Sequence, residues 1–390
     1  VAVLERTFDP AGLAAPASAP ALRALGALLR EVGFDEHGAA RAVAAPAPDL
    51  LLSNSARYAF FADRSRPEGP HAEVALLTSL FVLNRSLPAD WLGGALRPEL
   101  LDLLRELELL DDAGELARGR VSLTPWQGRW FLADRLFHSP APQQLVAATE
   151  RDLVMPPHAS SLLVLDTLQA LRGSVLDVGC GTGFLALNTG AGTDRSAGLD
   201  LNPRCVAYAT ANAVLNRRDE VAFTAGDFAD HTLTPDRRFD HLVFNAPTLP
   251  RIDDEEGDGE FGQSTMEWLL HAAVAMAPRV LRPGGGAHIL GIVEVPADRV
   301  DAAETVRDWL AGADVTDVTV TAHDSPLLQV TRRQLEQRRL HGNSLLVYGA
   351  GQARRLLDSL ARRGTAAVEV VTIGFRTPLP PPQEPPTERQ

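Results

Sequence analysis

Apolar residues follow two different rhythms along this chain. Up to about residue 110 they recur at helical spacing, as over 21–32 and again over 99–110, where Leu100, Leu103, Leu104, Leu107 and Leu110 fall on one face. A stripe of that kind predicts a helix buried in an accessory region. Pro-rich stretches over 44–48 and 65–70 punctuate the helices. From Val175 the rhythm shortens into β-rich runs alternating with helical ones, the pattern of a parallel sheet with crossover helices. Five strands are expected, over 175–178, 196–201, 220–224, 241–245 and 287–293. Helices are expected over 185–189, 205–216, 265–281 and 296–310. Further strand candidates lie over 315–321, 344–348 and 368–374.

Between the two regimes, a turn over 111–114, a strand over 120–123 and a helix from Thr124-Pro125 to about Arg135 follow the Leu-rich helix. Helix, turn, strand and helix in that order are similar to a winged-helix module. At 390 residues the chain can bury two cores. The expected organisation is a flexible lead-in over 1–20, a mainly helical, winged-helix-like accessory domain over 21–145, an α/β domain with a Rossmann-like sheet over 150–376, and a disordered Pro-rich tail over 377–390.

Composition narrows the chemistry. All 37 basic residues are arginine, so Schiff-base and P-loop mechanisms that need a lysine amine drop out. The formal charge of -13 opposes approach to nucleic-acid phosphates, which makes nucleic acid an unfavourable partner. Cys180 and Cys205 are too few for a disulfide framework or a cysteine zinc site, and no metal-ligating cluster is visible. The first residues do not read as a signal peptide, and the apolar run over 74–83 is too short to span a bilayer. A soluble, cytoplasmic protein is expected, with its oligomeric state open.

The chemistry concentrates after Val175. Val175-Leu176-Asp177-Val178-Gly179-Cys180-Gly181-Thr182-Gly183 ends a strand in a glycine turn that opens a helix, where a ligand can approach the backbone closely. Asp200, followed by Leu201, closes the next strand about twenty residues later, near the spacing at which an acid reaches a ribose. Asp227 and Phe228 follow the third strand, where a carboxylate could accept from an adenine amino group and a ring could cover the base. The glycines run G-x-G-x-G and not G-x-G-x-x-G, and with no pyrophosphate to hold, an acid at Asp177 is acceptable.

Together these residues resemble the class I S-adenosylmethionine-dependent methyltransferases, over about residues 150 to 295. The resemblance implies S-adenosyl-L-methionine as cofactor. It implies that Asp177, Gly179, Cys180, Gly181 and Gly183 surround its amino acid end, that Asp200 and Leu201 take the ribose side, and that Asp227 with Phe228 takes the adenine. Asn245-Ala246-Pro247-Thr248, at the end of the fourth strand, is similar to the Asn-Pro-Pro-aromatic motif of the amino-methylating enzymes, a group that includes the release-factor glutamine methyltransferases and the small-domain RNA guanine methyltransferases. Carried over, the Asn245 amide oxygen and the Ala246 carbonyl accept hydrogen bonds from a target amino group beside the cofactor. Pro247 and Thr248 line the acceptor. Alanine replaces the first proline and threonine the aromatic ring, which weakens the assignment of a planar acceptor.

His158, in the proline-containing segment before the first strand, is a candidate general base or a helix-cap neighbour. The acidic stretch 253–260 is expected to form a surface loop over the acceptor entrance. The leading reading is a methyltransferase acting on a nitrogen, with oxygen as the alternative, of a small molecule or peptide by in-line transfer. Two other readings stay open: an enzyme that cyclises or cleaves S-adenosylmethionine without methyl transfer, and a winged-helix regulator that senses it. The regulator requires a basic face drawn from Arg118, Arg120, Arg129 and Arg135.

Overall fold

A computed structural model describes residues 8–63, 65–148, 152–190, 192–228, 238–248, 266–324, 330–339 and 354–380. Seven strands of the second half form one sheet: β1 (Gly173–Val178), β2 (Thr193–Asp200), β3 (Ala222–Ala225), β4 (Phe239–Asn245), β5 (Leu281–Pro296), β6 (Thr316–His323) and β7 (Thr365–Arg376). Their order is β3-β2-β1-β4-β5-β7-β6. Strands β1 to β5 pair in parallel, and β7 runs antiparallel to both of its neighbours. The expected α/β class holds, and all five expected strands are present. The candidate over 344–348 lies outside the described residues.

Successive residues of the central strands feed two separate cores, as a sheet covered on both faces requires. Leu176, Val178, Leu242 and Phe244 pack with helices α4 (Met266–Val280) and α5 (Ala302–Trp309). Val175, Val243, Leu290 and Ile292 turn the other way, onto α1 (Ala159–Ala170) and a helix over 354–362. From β1 the chain builds outward to β2 and β3, then crosses back to β4 on the other side of β1. Connections therefore diverge at the carboxyl ends of β1 and β4, the position at which open α/β sheets hold ligands.

The first half is mainly helical and joins α3 (Pro203–Leu215) in a single apolar core with Tyr208, Ala211 and Leu215. Its helices Ala72–Leu77 and Pro98–Glu106 are interleaved with the short strands Leu87–Pro88, Leu110–Asp111 and Leu116–Gly119, which form one small antiparallel sheet. Two expectations need correction. The helix expected from Thr124 to Arg135 is a hairpin, Ser122–Trp126 paired with Arg129–Ala133. Gln127 and Gly128 both have positive φ (49° and 70°), the backbone of a two-residue hairpin turn. The second strand is held by side chains. Asn216 Oδ1 accepts from Trp130 N (2.9 Å), and Asn212 Oδ1 accepts from Leu132 N (2.8 Å). Both asparagines return an N–H to the same residues' carbonyls, so two amides four residues apart on α3 act as a neighbouring strand.

The lead-in is not loose from Phe8 onward. Short helical turns, Ala11–Ala14 and Pro16–Ser18, bring Phe8 and Leu13 into the core, with the Phe8 ring 6.3 Å from that of Tyr208. Residues 1–7 and 381–390 lie outside the described residues.

Candidate active site

Three glycines set the turn after β1. Gly179, Gly181 and Gly183 have φ of 62°, 52° and 76°, in the left-handed region that other L-residues enter at a cost. Only packing distinguishes them. A Cβ on Gly183 would lie 2.8 Å from Phe223 Cζ and 3.1 Å from Ala209 Cβ, whereas one on Gly181 would meet nothing within 4 Å. Gly183 thus serves the seating of the turn against β3 and α3, and Gly181 presents bare backbone at the carboxyl edge of the sheet.

Two acids flank that edge. Asp200 Oδ2 accepts from Gly181 N (2.8 Å) and its Oδ1 from Asn202 N (2.9 Å), so the carboxylate ties the glycine turn to the end of β2. Burial raises its pKa, and the two N–H donors and the Cys205 thiol act the other way. Asp177 is 1% exposed. Its Oδ2 accepts from Ala186 N (3.1 Å), while Oδ1, equally buried, has no partner among the described residues. Burial lifts its pKa to about 8, with Asp200 adding to the effect and the Ala186 N–H opposing it. The Cys180 thiol is buried in the same turn and pushed upward, first by burial and then by the two acids. Leu201, the residue after Asp200, is 71% exposed.

At the adenine side of the expected site, Phe228 packs on Phe244, with ring centroids 5.8 Å apart, and Asp227 is exposed. The expected acceptor residues divide. Asn245, half-buried at the end of β4, donates from Nδ2 to Ser160 Oγ (3.0 Å). Ser160 Oγ in turn lies 3.1 Å from His158 Nδ1. Thr248 is buried, and its Oγ1 accepts from Ile292 N (2.8 Å), so it closes the β4–β5 ladder beyond Asn245. The Ala246 carbonyl already accepts from Thr248 N (2.8 Å) and from Thr248 Oγ1 (3.5 Å), and Pro247 is exposed. His158 precedes α1 but makes no side-chain cap bond, and burial lowers its pKa. The acidic stretch 253–260 lies outside the described residues.

Sequence reading missed Ser160 and Asn202 as site residues. Asn202 could have been found, since an Asn-Pro pair after a strand signals a helix cap, and its side chain does accept from Arg204 N (3.0 Å). Ser160 gave no such signal, because its partner lies 85 positions away.

Over residues 157–300 the sequence matches the family model of the methyltransferase small domain. Residues 157–300 thus resemble a methyltransferase domain. The match bears out the expected class I, S-adenosylmethionine-dependent methyltransferase, and it spans the glycine turn, Asp200 and Asn245. No curated protein matches the chain in sequence. Similar solved structures include a Haemonchus contortus phosphoethanolamine N-methyltransferase 2 in complex with S-adenosyl-L-methionine, at 15% identity and a TM-score of 0.35, with 56% of this chain and 52% of that one covered. The chain thus spans about half the length of that protein. Another is a geranyl diphosphate C-methyltransferase from Streptomyces coelicolor A3(2), at 15% identity and a TM-score of 0.35, covering 55% of this chain and 77% of that one. Among the described residues, no helix is long and apolar enough to cross a membrane.

Proposed function

We propose that this methyltransferase transfers the methyl group of S-adenosylmethionine to a nitrogen of a small molecule or peptide, with Asn245 as the residue that orients the acceptor. The observation that carries this reading is the tethered amide. Its N–H is taken by Ser160, and among the described residues nothing donates to Oδ1. A carbonyl oxygen at the carboxyl end of β4 accepts from an amine and aims its lone pair along the line of transfer.

The residues fit the cofactor. S-adenosylmethionine carries a sulfonium and an ammonium group, and the site supplies one buried carboxyl oxygen without a partner among the described residues, at Asp177, and an open glycine backbone at Gly181, where an added Cβ would meet no protein atom within 4 Å. Asp177 and the backbone of Gly179, Cys180, Gly181 and Gly183 would hold its amino acid end. Asp200 would take the ribose, with Leu201 against the sugar or base and Asp227 and Phe228 at the adenine. When bound, the cofactor supplies an electrophilic methyl group, so the protein's work is to position and to exclude water.

The accessory region does not support a nucleic-acid partner. The helix Pro98–Glu106 exposes Glu99, Asp102 and Glu106, which repel phosphate. Arg118 pairs with Asp111 (2.7 Å), Arg120 with Glu108 (3.0 Å), Arg129 donates to Asn188 Oδ1 (2.9 Å), and Arg135 is buried, so the basic face a regulator needs is not assembled from them. The test is product analysis. Purified protein with S-adenosylmethionine and a panel of amine-bearing small molecules and peptides should yield adducts heavier by one methylene unit, together with S-adenosylhomocysteine. Accumulation of cofactor fragments with no methylated product would favour the cofactor-cleaving reading instead.

A further inference from the structure

A carboxamide that must present oxygen to an amine has an orientation problem. Its two ends are nearly the same size, and a half-turn replaces an acceptor with a donor. Asn245 faces this problem under the reading above, on which the present inference rests. Ser160 offers a solution, because its hydroxyl is 3.0 Å from Asn245 Nδ2 and 3.1 Å from His158 Nδ1.

The directions of these bonds are linked. Nδ2 of the amide can only donate, so Ser160 Oγ accepts from it, and the one O–H of the serine is left to donate. Its other partner is His158 Nδ1: a neutral ring with its proton on Nε2 accepts that O–H, whereas a ring protonated on Nδ1 would donate to Oγ and leave the O–H free to turn toward the amide oxygen. Burial lowers the His158 pKa and favours a neutral ring. Ser160 lies in the first turn of α1, and its backbone is fixed by a helix of twelve residues packed through Val164, Leu165 and Leu168. Of the two bonding partners, Ser160 is held by α1 and Asn245 by β4.

We propose that Ser160 and His158 are positioning residues, which lock the Asn245 amide through a one-way chain of hydrogen bonds so that Oδ1 faces the methyl acceptor. His158 then acts through Ser160 and is not the general base that its position in the sequence suggests. With Nδ1 occupied and Nε2 protonated, neither ring nitrogen is free to take a proton from substrate.

The test uses binding and needs no knowledge of the acceptor. Sinefungin is an S-adenosylhomocysteine analogue with an amine-bearing carbon in place of the sulfur, and so carries a donor where the methyl group would stand. The readout is the ratio of its affinity to that of S-adenosylhomocysteine, by calorimetry on the full chain. Asn245→Ala should lower the ratio about tenfold, and Ser160→Ala should do so to a similar extent, with S-adenosylhomocysteine affinity unchanged. Ser160→Thr, which keeps the hydroxyl, should restore the ratio to within about threefold of the parent. An unchanged ratio in Ser160→Ala with a lowered one in Asn245→Ala overturns the positioning role and leaves the Asn245 reading intact. An unchanged ratio in Asn245→Ala overturns both. Should Ser160→Ala fail to fold, nitrogen NMR of the parent protein decides, since a His158 ring protonated on Nε2 supports the chain and one protonated on Nδ1 contradicts it.

Discussion

Replacing Gly181 by alanine separates cofactor binding from folding. At φ 52° an L-residue pays about 1–2 kcal/mol, and a stiffer unfolded chain returns about 0.4–1 kcal/mol, so Gly181→Ala should destabilise the protein by only about 0.5–1.5 kcal/mol. Its Cβ meets no protein atom within 4 Å, so no packing penalty is added. On the proposed cofactor placement, that Cβ would stand between the glycine turn and the amino acid end of the ligand. Overpacking there costs about 2 kcal/mol or more, so S-adenosylhomocysteine affinity should fall at least about thirtyfold. Gly183→Ala is the contrasting change. Its φ is similar, but the new methyl would crowd Phe223 and Ala209, adding about 1–3 kcal/mol of folding cost. Denaturant unfolding and calorimetric titration, run on both variants, give the two quantities. If Gly181→Ala bound S-adenosylhomocysteine within about threefold of the parent while remaining folded, the glycine turn would not be the cofactor cradle.

Three further outcomes are expected. Asp200→Ala should weaken S-adenosylhomocysteine binding by about 1.5–3 kcal/mol, since it removes a charged acceptor from the ribose and releases Gly181 N–H; unchanged affinity by calorimetry would refute the ribose role. In the ligand-free protein the Asp177 carboxyl titrates at about 8, raised by burial, so it is protonated at neutral pH and must lose that proton to pair with a cationic amino group. Cofactor affinity should therefore climb about tenfold per pH unit up to about pH 8 and then level off, and a flat titration below that point would contradict the pairing. Asp134, 4% exposed, accepts from Arg204 Nη2 (2.6 Å), Tyr208 Oη (2.9 Å) and Val154 N (2.9 Å). Asp134→Ala should cost about 3–5 kcal/mol in chemical denaturation, because it strands a largely buried guanidinium between the accessory region and α3, and a loss below about 1 kcal/mol would be inconsistent with that geometry.

What the sequence disclosed depended on distance along the chain. The glycine turn, Asp200 and the strand leading to each were legible because local rules govern them: an apolar run, left-handed glycines, an acid at a fixed spacing. The hairpin over 122–133 was read as a helix, since Thr124-Pro125 imitates a helix start. Tertiary bonds decide that segment, with Asn212 and Asn216 of α3 supplying the pairing that its own sequence does not announce. For the same reason Thr248 looked like an acceptor contact, while its hydroxyl is spent on Ile292 N. Ser160 and Asn245 meet only because α1 packs beside β4, a relation carried by the topology and not by any local pattern.

The account stands most directly on where the adenosyl ligand sits. A crystal structure of the chain grown with S-adenosylhomocysteine should place the ribose hydroxyls on Asp200, the amino group within hydrogen-bonding distance of Asp177 Oδ1, and the sulfur facing the Asn245 amide oxygen. A ligand bound elsewhere, or at this edge with Asp200 turned to solvent and Asn245 remote from the sulfur, would contradict it.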